Sequence, residues 1–331
     1  MSFPFNVYLA SWLGAAGISA LSLPLWRAWC RRVGLMDEPG ARKIHARPIP
    51  LAGGLALLSG LCLPPLVGAL VLFGPVGLGR GGLLDQLTAQ LVAHGFRRRA
   101  VELAAILLGA IGMTALGLLD DKYELRPRAK FAGQLLVAVV VAAAGARITL
   151  FVHNVVFSYA ITVLWILTVT NALNFLDNMN GLCAGLGAIG AAFFAFSAAA
   201  SGQYLVAMMA LLACGALLGF LPYNFPKATA FLGDSGSHLA GYLLAVLAIL
   251  PHFYTAQNPR PLAVLSPLLI LAVPLLDLVW VVALRWRRGQ PFYVGDTNHF
   301  SHRLVRRGLS QTTAVLVIWL IAALVGALAL L

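Results

Sequence analysis

The chain has 331 residues, of which 60% are apolar and only 10% charged, with a mean hydropathy of +0.88. An ordinary soluble domain carries about 25% charged residues, so this composition excludes a soluble globular enzyme, a disordered protein and a DNA-binding domain. A membrane helix takes about 20 residues, and the apolar content is enough for about ten, so the expected class is an all-α polytopic membrane protein. The net charge of +12 is expected to orient helices, because Lys and Arg collect in cytoplasmic loops. It is not read as a nucleic-acid footprint.

In chain order, apolar runs predict spans at 5–25, 51–75, 101–119, 131–146, 155–175, 182–200, 203–222, 237–250, 262–284 and 312–331, within a single membrane-embedded domain over 1–331. No charge precedes Arg27, so the start lacks the basic segment of a cleaved signal peptide and the first run is expected to remain as a span. Pro64, Pro65 and Pro274 fall inside runs, which membrane helices tolerate. Cys30, Cys62, Cys183 and Cys214 show no C-x-x-C pairing and read as small hydrophobes of helix packing.

Ten spans put alternate loops on opposite sides of the bilayer. Loops 26–50, 120–131, 172–181, 223–236 and 285–311 together hold 17 of the 23 basic residues, so that side is expected to be cytoplasmic, with both termini outside. Arg97, Arg98 and Arg99 are the local exception, in a 76–100 loop where Leu84, Leu87 and Leu91 suggest a short amphipathic helix. Nine of the eleven acidic residues fall in or beside the same cytoplasmic set: Asp37, Glu38, Asp120, Asp121, Glu124, Asp177, Asp234, Asp277 and Asp296. Acidic residues contribute little to orientation, so an active site on that face is the reading that explains the bias.

Asp120 and Asp121 close the third run. Two adjacent carboxylates at a helix C-terminus oppose the macrodipole and repel each other. Either they are a solvated loop start, or a divalent cation or basic partner offsets them, with Arg126, Arg128 and Lys130 close by in sequence. Asn171, Asn174 and Asp177 recur every third residue at the end of the fifth run, roughly one helical face, which suits either ligand contact or interhelical hydrogen bonding. Asp234, in Phe231-Leu-Gly-Asp-Ser-Gly-Ser237, is either an N-cap or part of a glycine-rich turn that receives phosphate. His299, His302 and Arg303, with Arg306 and Arg307, fit a phosphate-binding loop better than a zinc site, which lacks a third ligand. Arg42, Lys43 and His45 repeat that style in the first loop. Carboxylates and phosphates repel, and Mg²⁺ resolves the conflict by binding one or two carboxylates plus substrate phosphates.

Five ordered stretches carry a resemblance: DEPGARKIHARPIPLAGG (37–54), GLLDDKYELRPRAKFAGQ (117–134), NALNFLDNMNGL (171–182), FLPYNFPKATAFLGDSGS (220–237) and GDTNHFSHRLVRRGLS (295–310). Together the chain resembles the polyprenyl-phosphate N-acetylhexosamine-1-phosphate transferases of bacterial membranes, in the branch that uses UDP-GlcNAc. The resemblance implies transfer of GlcNAc-1-phosphate from UDP-GlcNAc to polyprenyl (undecaprenyl) phosphate, releasing UMP, as the first membrane step of a cell-envelope glycan pathway. It implies an enzyme of the bacterial inner membrane that needs Mg²⁺, with Mn²⁺ as a substitute, and whose partners are the bilayer, the UDP-sugar, the lipid phosphate and, as one option, a second copy of the chain.

The same resemblance places Asp120 at the lipid phosphate, and Asp121 and Asp234 on the metal. Asp120, Asp121, Asp177 and His299 form the implied catalytic set. Arg42, His45, Lys130, Asn171, Asn174, Asn180, His302 and Arg303 are the implied substrate-binding set, with Asn174, Asp177 and Asn180 facing the nucleotide. Two positions depart from the pattern: Asn180 stands where the family has Asp, and Ser301 where it has His. A secondary transporter is the competing class. It predicts ionisable residues at mid-span and paired repeats, whereas the acids here gather at run ends. A CDP-alcohol phosphotransferase is a third class, and its clustered acidic motif is absent from the sequence.

Overall fold

The computed structural model describes residues 3–39, 47–73, 94–95, 97–148, 152, 154–251 and 264–330. Arg42, Lys43, His45 and the segment around Leu84, Leu87 and Leu91 lie outside the described residues.

The described chain is helical apart from one small ladder. The helices are α1 (Phe5–Val33), α2 (Gly53–Phe73), α3 (Ala100–Tyr123), α4 (Pro127–Ala143), α5 (Val155–Phe175), α6 (Leu182–Ala200), α7 (Tyr204–Asn224), α8 (Gly233–Ile249), α9 (Ser266–Ile270), α10 (Ala272–Arg287), α11 (Phe300–Arg306) and α12 (Gln311–Leu328). The strands β1 (Met36–Asp37) and β2 (Ile49–Pro50) pair antiparallel, Met36 opposite Pro50 and Asp37 opposite Ile49.

Each predicted run contains a helix, and the run at 262–284 is divided into α9 and α10 at Leu271. Among the described residues, seven helices, α1, α2, α3, α5, α6, α7 and α12, are long and apolar enough to cross a membrane. The others are shorter: α4 and α8 have 17 residues and α10 has 16. At 1.5 Å per residue they rise roughly 24–26 Å, a little under the ~30 Å hydrocarbon core. Their ends carry polar groups that the apolar runs left outside: Lys130 in α4, Asp234 in α8 and Arg285 in α10. Leu21, Leu25, Leu108, Leu136, Val156 and Leu324 are exposed on the bundle's outside, as a lipid-facing surface requires.

Local chemistry sets the helix ends. Arg31 and Arg32 occupy the last turn of α1, where cations favour the dipole. Gly34 then takes a left-handed φ of 73° and returns its N–H to Cys30 O, an αL stop. Asn154 caps α5 by accepting from Phe157 N at 3.0 Å, and Ser310 caps α12 by accepting from Thr313 N at 3.1 Å. Glu124, with φ 48°, turns the chain between α3 and α4, and Pro127 opens α4. The four cysteines are free and all lie in helices; Cys30, Cys183 and Cys214 are buried.

The centre of the bundle is α8, whose residues are buried without a break from Ser235 to Ala248. Its first two turns carry Asp234, Ser235, Ser237 and His238, polar side chains that lipid would leave unpaired, so enclosure by protein suits it. It packs against α3 and α5, with Tyr242 Oη donating to Ile106 O at 2.9 Å and Trp165 Nε1 donating to Ala245 O at 3.1 Å. Small residues let the backbones close up: a Cβ on Gly117 would come within 2.4 Å of Ser235 N and Cα, and one on Gly54 within 2.6 Å of Gly236 N. The fold therefore delivers the polar start of α8 to the middle of a helix cluster.

Candidate active site

The end of α3 and the start of α8 are joined by Asp121. Its Oδ1 accepts from Asp234 N at 2.7 Å and its Oδ2 from Ser235 N at 3.1 Å. These are N–H groups that the first turn of a helix cannot satisfy internally, so Asp121 caps α8 from another helix. Asp234 itself lies inside the first turn of α8, which begins at Gly233 with φ 70°. The N-cap alternative for Asp234 is thus replaced by a cap in trans.

Lys130, one turn into α4, points at the same place. Its Nζ is 2.7 Å from Asp120 Oδ2, 3.2 Å from Asp234 Oδ2 and 3.4 Å from Asn174 Oδ1. Asn174 Nδ2 donates to Asp234 Oδ1 at 2.5 Å and to Ser237 Oγ at 2.9 Å, and Asp120 Oδ1 accepts from Leu125 N at 2.8 Å. Four helices thus contribute to one cluster: Asp120 and Asp121 from α3, Lys130 from α4, Asn174 from α5 and Asp234 from α8. The lysine is the positive partner that the Asp120–Asp121 pair required.

The turn after α5 adds a carboxylate of different character. Asp177 makes no side-chain hydrogen bond or ion pair among the described residues. Enclosure by protein pushes its carboxyl well above the usual carboxylate range, and the charges of Asp234, Asp121 and Asp37 push it further. Asn171 and Asn174 do share a side of α5, but Asn171 turns to Gln134 Oε1 and Leu167 O, both at 2.8 Å. Asn180 gives its amide N–H to Pro226 O at 3.1 Å.

A second group of residues comes from α10 to α11. Asp277, fully buried, lies 2.6 Å from His299 Nδ1 and accepts from Phe300 N at 2.7 Å. Arg285, 2% exposed, donates from Nε to Asp296 Oδ2 at 2.8 Å, bonds Phe292 O and lies over the Phe175 ring at 4.9 Å. Partial burial would raise the Asp296 carboxyl, but the Arg285 and Asn298 N–H bonds hold it below the usual range. Burial, then the neighbouring His299 and Arg306, lower His302 below the usual histidine value. Arg303 lies 4.7 Å over the Trp280 ring.

The two groups are connected. Ser301 Oγ donates to Asn178 Oδ1 at 2.7 Å, and Phe175, next to Asn174, meets His299 edge to face at 6.4 Å. Ser301, the position that departs from the expected pattern, therefore ties the histidine loop to the turn that carries Asp177.

As a cation site, the donor set suits a hard divalent ion. Asp120 Oδ2, Asp234 Oδ2 and Asn174 Oδ1 already converge on one positive centre, Lys130 Nζ, and oxygen donors are what Mg²⁺ takes. Among the described residues no three His, Cys, Asp or Glu side chains meet at one point, so an amide or substrate oxygen has to complete any such site. Both Asp121 oxygens are engaged on α8.

A sequence model described as glycosyl transferase family 4 matches residues 103–252, from α3 to just past α8. Over 308 residues the chain is 33% identical to the probable undecaprenyl-phosphate N-acetylglucosaminyl 1-phosphate transferase of Bacillus subtilis (strain 168), covering 90% of this chain and 77% of that one. The chain belongs to this family. It is also 34% identical over 334 residues to the decaprenyl-phosphate N-acetylglucosaminephosphotransferase of Mycobacterium tuberculosis (strain CDC 1551 / Oshkosh), covering 93% and 78%. Against the undecaprenyl-phosphate alpha-N-acetylglucosaminyl 1-phosphate transferase of Escherichia coli (strain K12) the identity is 26% over 319 residues, covering 92% and 78%.

The matched region of the family 4 transferase holds the whole Asp120–Lys130–Asn174–Asp234 cluster and Asp177. The histidine loop lies beyond it. Reading the sequence by motif missed three residues that shape this family member's site: Asp277, Arg285 and Asn178. Asp277 and Arg285 sit within or just past an apolar run, where a lone charge signals a buried partner. That signal was present for both. Nothing in the sequence distinguished Asn178 from its polar neighbours.

Proposed function

We propose that the chain transfers GlcNAc-1-phosphate from UDP-GlcNAc to a polyprenyl phosphate in a Mg²⁺-dependent reaction. The observation that carries this reading is Lys130, held between Asp120 and Asp234 with Asn174 beside it: acidic and basic groups alternate where two phosphorylated substrates would meet. The names of the relatives support the polyprenyl phosphate acceptor and the N-acetylglucosamine donor. Family membership and the gathering of acids at helix ends leave the transporter reading without support.

In the reaction an oxygen of the polyprenyl phosphate forms a bond to the β-phosphorus of the UDP-sugar. The bond from that phosphorus to the bridging oxygen breaks, and UMP leaves with the electron pair. One diphosphate replaces another, so the exchange is close to balanced. The acceptor phosphate is already anionic and needs positioning rather than strong base catalysis. Asp120 fixes Lys130, whose ammonium meets phosphate oxygens. Asp121 holds the first turn of α8 so that Asp234 faces the cluster. His299, oriented through Nδ1 by Asp277, presents Nε2 to the diphosphate or sugar, with His302 and Arg303 on the same short helix. Asp234 and Asn174, whose oxygens converge at the cluster, would hold Mg²⁺, which neutralises phosphate charge when bound.

The charge asymmetry of the loops supports a cytoplasmic site with both termini outside, and the bacterial relatives support an inner-membrane location. The test is release of UMP from a panel of UDP-N-acetylhexosamines by the purified protein with polyprenyl phosphate, with and without Mg²⁺. UDP-GlcNAc is expected to be turned over only with the metal, and Asp120→Asn and Asp234→Asn to abolish release. No release from any UDP-sugar overturns the reading.

A further inference from the structure

Arg285, in the last turn of α10, is buried, whereas Arg287 and Arg288 close by are exposed. A buried guanidinium is costly to desolvate, and apolar side chains of similar volume often serve stability equally well. Its placement therefore calls for a geometric reason. Its side chain has three separate partners. Nε donates to Asp296 Oδ2 at 2.8 Å, Nη1 donates to Phe292 O, and the guanidinium lies 4.9 Å over the Phe175 ring. Arginine offers a rigid donor fork and a flat face at once, and lysine offers neither.

Those partners lie on two segments of the site. The first is the linker from α10 to α11, which ends at His299. Within it Gln290 N donates to Arg285 O at 2.9 Å, Phe292 and Asp296 take the guanidinium, and Asp296 Oδ1 accepts from Asn298 N at 2.6 Å. Arg285 thus reaches the start, middle and end of the linker, and its last contact acts one residue short of His299. Asp277 holds the His299 ring itself from a position eight residues earlier on α10, about 12 Å away along the helix. The second segment is the end of α5. Phe175 follows Asn174 and meets His299 edge to face at 6.4 Å. Its carbonyl accepts from Asn178 Nδ2 at 3.0 Å, and Asn178 Oδ1 accepts from Ser301 Oγ at 2.7 Å. Arg285 stands where the histidine loop and the end of α5 touch.

We propose that Arg285 is a positioning residue for the transfer. Through Asp296 it braces the linker that ends at His299, and through Phe175 it sets that histidine against the part of α5 that carries Asn174. Groups from both segments have to meet one diphosphate, and a misplacement of about 1 Å can cost about a hundredfold in rate. Arg285 is enclosed by protein and acts through His299. The positioning role rests on the transferase reading above. The bracing of the linker does not.

Two arms separate them. Hydrogen–deuterium exchange on the intact protein in bilayer discs reads the bracing. Arg285→Met keeps the aliphatic length and removes the fork, and is expected to speed exchange at Asn298 and the neighbouring linker amides at least about tenfold, with α12 unchanged. Exchange equal to wild type overturns the bracing and the proposal with it. The second arm is a double-mutant cycle in release of labelled UMP. Arg285→Met is expected to lower kcat at least about tenfold and to change KM for UDP-GlcNAc less than about threefold. In a His299→Gln background the same substitution is expected to cost less than about twofold, because the group it positions is already gone. Equal losses in both backgrounds mark a general structural defect and overturn the positioning role. Arg285→Lys keeps a cation for Asp296 without the fork or the flat face, and is expected to recover the melting temperature but not kcat. Full kcat in Arg285→Lys overturns the proposal. Absence of UMP release by the wild-type chain would defeat the transferase reading, while the exchange result still decides the bracing.

Discussion

Asp277 Oδ2 lies 2.6 Å from His299 Nδ1, with the carboxylate fully buried and the imidazole 4% exposed. The other carboxylate oxygen takes Phe300 N at 2.7 Å, so one side chain on α10 sets both the ring and the backbone that starts α11. A carboxylate at Nδ1 fixes the tautomer and aims Nε2 outward. Asp277→Asn keeps the shape but offers an amide N–H to the ring, and is expected to lower turnover about 10–100-fold, as loss of a histidine-orienting partner does elsewhere. Asp277→Leu also strands Phe300 N–H and the ring nitrogen, at about 1–3 kcal/mol for each. UMP-release kinetics and thermal unfolding check the two. Full activity of Asp277→Asn would show that the ring needs no orientation.

Lys130→Met removes the positive centre and keeps the aliphatic length. Breaking a fully buried ion pair costs about 3–5 kcal/mol. Lys130 is 20% exposed, so solvent screening reduces this to about 1–3 kcal/mol. The variant is expected to melt lower and to lose activity at least about a hundredfold. The double variant Lys130→Met with Asp120→Asn should recover part of the melting temperature, because one stranded carboxylate is gone, but none of the turnover. Simple additivity in the double-mutant cycle would show that the two residues are uncoupled.

Asp177 predicts a pH dependence of stability. Its folded-state value is raised, so the native chain holds a proton that the unfolded chain has released. Stability from this group is complete below the unfolded carboxylate value near 4 and declines as pH rises through the higher folded value. Asp177→Asn cannot ionise. Its melting temperature relative to wild type is therefore expected to rise with pH across that window. A constant difference from pH 4 upward would contradict the assignment.

Gly117→Ala places a methyl within 2.4 Å of Ser235 N and Cα and 2.5 Å of Asp234 C. These are backbone atoms of the first turn of α8, so the neighbour cannot rotate away. Overpacking of this kind costs about 1–3 kcal/mol and is expected to shift α8 off Asp121, lowering both melting temperature and turnover. Gly112→Ala meets only Val137 Cγ2 at 3.1 Å and serves as the tolerated control.

The helices were legible because apolar runs of about 20 residues have few alternatives in a bilayer. Their ends were less so. The start of α8 reads as polar in the sequence, yet Gly233, Asp234 and Ser235 are helical because Asp121 supplies the missing acceptors from α3. Asp120, Asp121, Lys130, Asn174 and Asp234 could be named individually from motif and charge. Their partners could not, since Lys130 and Asp234 are 104 residues apart and helix spacing carries no information across that distance.

By itself the sequence determined a helical membrane protein with acidic and basic motifs gathered at one set of loop ends, because hydropathy and charge are properties of each residue alone. Tertiary structure decided which charges meet. Helix packing brings α3, α4, α5 and α8 together at Lys130, makes Asp121 a cap rather than a free carboxylate, and leaves Asp177 without a side-chain partner among the described residues. Pairing is a property of geometry: a carboxylate gains or loses its cation over a few ångströms, and only the closeness allowed by Gly54, Gly117 and Gly241 fixes those distances.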